Sequence, residues 1–272
     1  MHYLDEGPKD GPVVLLLHGN PTWSFMYRNV VEKLKATHRC IAPDHIGCGL
    51  SDKPKASDFP YDLKSHAANV WGLLEYLGIN QFSLVVHDWG GAIGLTAFRH
   101  QLDRIRKLTL LNTAAFNDND VPKRILFCRL PLIGDLFVRG LNGFAWPATF
   151  MASAKGLTQD AKKGLLAPYD NWSNRVAVWR FVKDIPFEGN HPTRPLLNET
   201  ESVLRNLKNI PTVACWGMKD FCFNPDYLKK WKTLIPNLIS HEFHDAGHYI
   251  LEDKCSECVQ IISSFMAGTS DL

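Results

Sequence analysis

The chain has 272 residues, 45% of them hydrophobic and 21% charged, with a formal net charge of +2. That is enough apolar material for one globular unit with a large core, and with no basic run neither a nucleic acid nor a membrane surface is expected as a partner. The longest strongly apolar runs, such as residues 13–17, are strand-sized and too short to span a bilayer. The opening MHYLDEGPKDG lacks the charged and apolar regions of a signal peptide, so a cytoplasmic protein is expected.

Taken in chain order, short apolar runs alternate with helix-length segments. Strands are predicted over 13–17, 39–42, 82–86, 107–111, 212–216 and 238–243, and helices over 23–36, 62–77, 90–101, 224–234 and 252–266. Most of the strands lack polar–apolar alternation, as strands buried on both faces do. The alternation therefore predicts an α/β fold with a mostly parallel central sheet flanked by helices. It breaks between residues 116 and 200, where the chain turns helical and aromatic (Phe144, Trp146, Phe150, Trp172, Trp179, Phe181). Two units are predicted: a core from 1–115 and 201–272, and an inserted helical cap, 116–200, over the carboxyl edge of the sheet, where open α/β folds place their sites. Some cap aromatics are expected to line a cavity and the rest to pack the helical lobe.

Seven cysteines form an odd, scattered set. Cys255 and Cys258 make the one suggestive spacing, but they fall in a predicted helix with no second ligand pair. Free thiols in a reducing compartment and no metal site are expected.

The chemistry gathers at LVVHDWGGAIG, residues 84–94. An apolar strand ends abruptly at Asp88, and Gly90 and Gly91 lead into a helix, which is the strand–turn–helix context of a nucleophile elbow. A carboxylate can attack carbon directly and needs no base to activate it. Alone, Asp88 could equally be a helix cap. Three further motifs bear on that choice. VLLLHGNPTWSF ends a strand at His18-Gly19-Asn20-Pro21, a turn able to supply one backbone N–H of an oxyanion hole, the other coming from Trp89. WGMKDF puts Asp220 just past a late strand, where an acid would orient a histidine. DAGHYILED places His248 in the following loop, the last member in the order nucleophile, acid, histidine. The expected triad is Asp88, Asp220 and His248. With a carboxylate nucleophile, His248 would activate the water that attacks the Asp88 ester, so removing His248 should trap the covalent intermediate.

HGNPTWSF, PDHIGCGLSDKP, VVHDWGG, WGMKD and DAGHY together resemble the haloalkane dehalogenases of the α/β-hydrolase superfamily, across nearly the whole chain. The resemblance implies that the side chains of Asn20 and Trp89 donate N–H groups to the departing halide, so that a halide ion such as chloride could occupy the site, and it implies no other cofactor. That family carries its acid after either of two strands. Here LLNTAAF offers Asn112, which leaves the role to Asp220, as in the third subfamily. PDHIGCGLSDKP, LNTAAF, RGLNGF, LAPYDNWSNRV and RFVKDIP are also similar to the β-lactone decarboxylases of bacterial olefin biosynthesis, which share the Asp, His and acid. The expected activity is hydrolysis of a carbon–halogen bond to alcohol, halide and a proton, with conversion of a cis-β-lactone to an alkene as the alternative; either substrate is small and apolar. Neighbouring families fit less well. An epoxide hydrolase needs cap tyrosines, for which Tyr169 is a lone candidate. A fluoroacetate dehalogenase places arginines after the nucleophile, a serine esterase needs serine at 88, and a non-catalytic receptor would have lost a triad member. MHYLDEG resembles the family's second strand, so the first is expected to be short or absent, leaving a sheet edge through which a homo-oligomer could form.

Overall fold

Val14, Leu15, Leu16 and Leu17 are wholly buried, so β2 (Val13–Leu17) is covered on both faces, as a strand inside a parallel sheet must be. It pairs in parallel with β3 (Arg39–Pro43) on one side and β4 (Phe82–Asp88) on the other. β5 (Ile105–Thr113), β6 (Thr212–Gly217) and β7 (Ile239–Phe243) extend the parallel run. β1 (Tyr3–Glu6) adds antiparallel to β3, giving a seven-stranded sheet in the order β1-β3-β2-β4-β5-β6-β7. The structure, a computed structural model, describes residues 1–117 and 122–268. It is the α/β-hydrolase architecture expected from the motifs.

Successive strand residues face opposite sides of a sheet, and β2 shows the consequence. Leu15 and Leu17 join Leu84, Val86, Leu74 and Phe98 in one apolar layer, containing α2 (Leu63–Tyr76) and α3 (Trp89–Ala97). Val14 and Leu16 join Val85, Val30 and Ile262 in the other, with α1 (Arg28–Leu34) and, at the end of the chain, α12 (Cys255–Ala267). Each buried Leu or Val contributes roughly 1.5–3 kcal/mol relative to exposure. Asp62 caps α2 by accepting from Ser65 N at 2.8 Å.

Element boundaries differ from the sequence reading in instructive places. The helix predicted over 23–36 is a 3-10 turn, Ser24–Tyr27, followed by α1. The helix predicted over 90–101 ends at Ala97, since the chain must turn back toward β5, which starts two residues earlier than predicted. The last helix is broken at Lys254 (φ −134°, ψ 47°), giving α11 (Ile250–Asp253) and α12.

Between β5 and β6 the described chain holds six α-helices: α4 (Lys123–Cys128), α5 (Ile133–Asp135), α6 (Ala145–Met151), α7 (Gln159–Leu166), α8 (Val176–Lys183) and α9 (Arg194–Val203). Residues 118–121 of the stretch predicted as a cap lie outside the described residues. α9 lies beside α3, its Thr200 hydroxyl 2.9 Å from that of Thr96. α10 (Pro225–Leu234) follows β6. No helix among the described residues is long and apolar enough to cross a membrane.

Candidate active site

β4 delivers Asp88 at a backbone conformation of φ 53°, ψ −126°, a left-handed value a residue with a side chain adopts only under constraint. Two neighbours supply the constraint. The Thr113 hydroxyl donates to Asp88 O at 2.5 Å, and Gly90 packs so tightly on β2 that a Cβ there would lie 2.0 Å from Leu17 O. The Asp88 side chain makes no capping bond to α3, which removes the simplest alternative role for it.

The carboxylate instead faces groups from other strand ends. Asp88 Oδ1 accepts from the backbone N–H of Asn20 at 2.6 Å, and Oδ2 lies 3.7 Å from His248 Nε2. His248 Nδ1 lies 2.8 Å from Asp220 Oδ2. Since the acceptor there is a carboxylate, Nδ1 carries the proton and Nε2 is turned toward Asp88. Asp220 Oδ1 accepts from Cys222 N at 2.7 Å, so both of its oxygens are used, and its side chain is wholly enclosed. Asp88, Asp220 and His248, predicted from three separate motifs, therefore stand as one chain of contacts.

Burial pushes the Asp88 carboxyl above its ordinary value, against the opposing pull of His248 and the backbone N–H groups of Asn20 and Trp89. Burial also opposes a charged His248, but the Asp220 carboxylate, with Asp88 behind it, outweighs that and raises the imidazole above its usual value. Cys222 shares the cavity wall, yet burial and the charges of Asp220 and Asp88 push its thiol far up, so it is no rival nucleophile.

Asn20 and Trp89 both line the cavity above Asp88. The Asn20 amide donates to the carbonyl of Val178 in α8 at 3.1 Å, while its Oδ1 is buried without a partner among the described residues. One amide hydrogen is thus committed to the helical segment. Asn112, in the alternative acid position, is used otherwise: its side chain donates to Gly217 O at 3.1 Å and accepts from Gly217 N at 2.8 Å. Tyr169 donates to Thr22 O at 3.3 Å and is absent from the cavity wall, so it offers nothing to an epoxide oxygen.

The cavity measures about 470 Å³. Its walls are mostly apolar, including Ile125, Phe137, Phe144, Pro147 and Leu197 beside Asn117 and Arg124, with the polar atoms of Asn20, Asp88 and His248 on its floor, the usual construction of a site for a small apolar molecule. Of the six aromatics singled out from the sequence, Phe144 lines this space. Phe181 is buried against His66, and Trp146, Phe150 and Trp172 face solvent.

Two supporting residues were not recognised from sequence. His87 donates through Nε2 to the backbone oxygen of His248 at 2.9 Å. Asp253 accepts from the Ser153 hydroxyl (2.5 Å) and from the backbone N–H groups of Ala154 (2.8 Å), Lys155 (3.1 Å) and Gly247 (2.7 Å). It thereby ties the His248 loop to the chain leaving α6. Both lie inside quoted motifs, but neither has a neighbour in sequence that reveals its partner.

Residues 12–254 match the α/β-hydrolase-fold family model. A cis-3-alkyl-4-alkyloxetan-2-one decarboxylase of Shewanella oneidensis is 41% identical over 277 residues, covering 100% of this chain and 86% of the relative. Haloalkane dehalogenase 2 of Mycobacterium tuberculosis is 34% identical over 264 residues, covering 93% and 86%. Among solved structures, a haloalkane dehalogenase from Bradyrhizobium elkani superposes with a TM-score of 0.87 at 24% identity, covering 98% of this chain and 93% of that one, a likeness of fold.

Proposed function

The chain belongs to the α/β-hydrolase-fold family, and on that premise we propose that it is an enzyme in which Asp88 forms a covalent ester with a cis-3,4-dialkyl β-lactone and releases an alkene and carbon dioxide. The observation that carries the covalent step is the setting of Asp88: a buried carboxylate with no capping role, flanked by the Asn20 N–H and by His248, on the floor of an apolar cavity. The relative that spans the whole chain at 41% identity bears the name of that activity, which is what favours the lactone.

The chemistry fits these groups. Attack by Asp88 on the ring carbon bearing the ring oxygen breaks that C–O bond, forming an ester and freeing a carboxylate. Loss of carbon dioxide then passes its electron pair into the new double bond and expels the Asp88 carboxylate. Neither water nor a cofactor is consumed. A protonated His248 and the nearby N–H donors stabilise the negative charge as it moves.

The second reading is hydrolysis of a carbon–halogen bond, supported by the 34% identical haloalkane dehalogenase 2; Asn20 and Trp89 are compatible with both readings. These two residues line the cavity next to Asp88, and convergent N–H donors in an apolar pocket can hold a halide that would otherwise be poorly solvated. In this reading a neutral His248 activates water against the ester.

The purified protein is to be given a cis-dialkyl β-lactone and 1,3-dibromopropane in parallel. Alkene without bromide supports the first reading, and bromide without alkene the second. Asp88→Asn is expected to abolish either, and turnover in that variant would overturn the covalent role.

A further inference from the structure

His18 is wholly buried and lies outside the cavity wall, so it meets no substrate. Both nitrogens of its ring are nevertheless used. Nδ1 lies 2.8 Å from Gly19 O, and Nε2 accepts from the backbone N–H of His45 at 3.0 Å. A carbonyl only accepts and a backbone amide only donates, so these partners fix one form of the ring: neutral, with its proton on Nδ1. Burial holds the imidazole down at about 4, so that form is the one present at neutral pH. The His45 side chain returns the contact, its Nε2 donating to His18 O at 3.0 Å. His45 thus grips residue 18 by ring and by backbone, which gives the PDHIGCG segment leaving β3 a part in the site. Asp44, wholly buried, secures that segment by accepting from Ser24 N at 2.8 Å and Leu50 N at 2.9 Å.

The Gly19–Asn20 peptide carries this grip to the nucleophile. The Gly19 C=O and the Asn20 N–H belong to one planar trans unit and point in opposite directions. One end accepts from His18 at 2.8 Å, and the other donates to Asp88 Oδ1 at 2.6 Å. Because the unit is rigid, rotating it away from His18 also swings the Asn20 N–H off the carboxylate. The Thr22 hydroxyl faces Gly19 O as well, but at 3.3 Å, beyond the usual range for such a bond.

We propose that His18 is a positioning residue whose Nδ1–H, with Nε2 held by His45, aims the Asn20 N–H at Asp88. This rests on the covalent role of Asp88 but not on the choice of substrate, since both routes move negative charge on and off its carboxylate.

The test replaces the two ring nitrogens separately. Asn presents an amide N–H where His has Nδ1, whereas Gln reaches only to the place of Nε2. His18→Gln loses the donor to Gly19 O and is expected to lower kcat by about 100-fold, the cost of a misplacement near 1 Å at a reacting group, with KM unchanged. His18→Asn keeps that donor and should recover most of the loss, although it gives up the bond from His45 and is no more stable. A second readout needs no substrate. Gly–Asn occurs twice in the chain, at 19–20 and 189–190, so glycine labelled with 13C at the carbonyl and 15N asparagine leave two amide signals. The one that Asp88→Asn moves is Asn20. It should lie far downfield in the wild type, shift upfield in His18→Gln and stay near its place in His18→Asn. Equal losses of kcat in the two His18 variants overturn the proposal, as does an Asn20 signal that His18→Gln leaves unmoved. If His18→Gln does not fold, the wild type decides alone. With 15N histidine it should show a neutral Nδ1–H ring that does not titrate near neutral pH, and a spectrum without one overturns the proposal. A wild type that turns over neither substrate sinks the covalent reading instead, and the Asn20 signal still decides whether His18 aims the peptide.

Discussion

A methyl group on Gly19 would lie 1.9 Å from Oδ1 of Asp88 and 2.3 Å from its Cβ. The turn after β2 and the elbow after β4 thus approach until only hydrogen fits between them, and that approach lets the Asn20 N–H reach the carboxylate at 2.6 Å. Gly19→Ala must push Asp88 or the turn aside. A displacement near 1 Å at a reacting group costs on the order of 100-fold in rate. We expect turnover to fall by about that factor, measured as kcat on whichever substrate the wild type accepts.

The pH dependence separates the two chemistries. The His248 imidazole titrates above its usual value, with Asp220 the main group holding its proton there. If His248 must be neutral to activate water, bromide release rises as pH increases through that raised value. If it must be protonated to balance a departing carboxylate, alkene formation falls over the same range. Asp220→Asn removes the acid that sustains the shift, so either midpoint should move to lower pH. An unmoved midpoint in the kcat profile would detach His248 from Asp220.

His248→Phe distinguishes the routes by mass. In the hydrolytic route the first step needs only Asp88, so the variant should accumulate the alkyl-enzyme when mixed with 1,3-dibromopropane, visible as a mass increase of the intact protein that Asp88→Asn abolishes. Loss of bromide release with no adduct would argue that His248 acts before the ester forms.

The parallel strands and the motif residues Asp88, Asp220 and His248, which the structure brings together, were legible because each is written in local pattern. A fully buried strand writes a run such as VVLLL, and an elbow writes Asp88-Trp89-Gly90-Gly91. What was not legible depends on contacts across the chain. Nothing near Asn112 announces that both its polar atoms serve Gly217, 105 positions away. The aromatic richness around Trp146 and Phe150 was visible, but aromatics that line a cavity and aromatics that face outward look alike until the helices are placed.

Asn112 yields a prediction of its own. It stands at the alternative acid position that the resemblance implies, which makes Asn112→Asp the natural candidate to replace Asp220. The geometry argues otherwise. The substitution removes the donor to Gly217 O and sets a carboxylate oxygen against that carbonyl, a loss of about 1–3 kcal/mol for an unsatisfied buried group. Asp220→Asn/Asn112→Asp is therefore expected to stay as slow as Asp220→Asn alone, with a lower unfolding temperature. Recovery of kcat would show that the Asn112 position can turn to His248 after all.

Asp253 offers the sharpest separation of support from chemistry. Its carboxylate is buried and takes four donors, one from the loop that carries His248 and three from the chain leaving α6, a wall of the cavity. A carboxylate can accept all four, whereas an amide presents two hydrogens of its own to at least one donor. Asp253→Asn should therefore loosen both loops together, lowering stability by about 1–3 kcal/mol. Since the Asp88 attack does not require His248 in the hydrolytic route, the variant should slow ester breakdown more than ester formation. With 1,3-dibromopropane that reads as partial adduct accumulation by intact mass, at a lower level than in His248→Phe. Equal slowing of both steps would reduce Asp253 to a general packing role; unequal slowing makes it the group that holds His248 in register with the cavity wall.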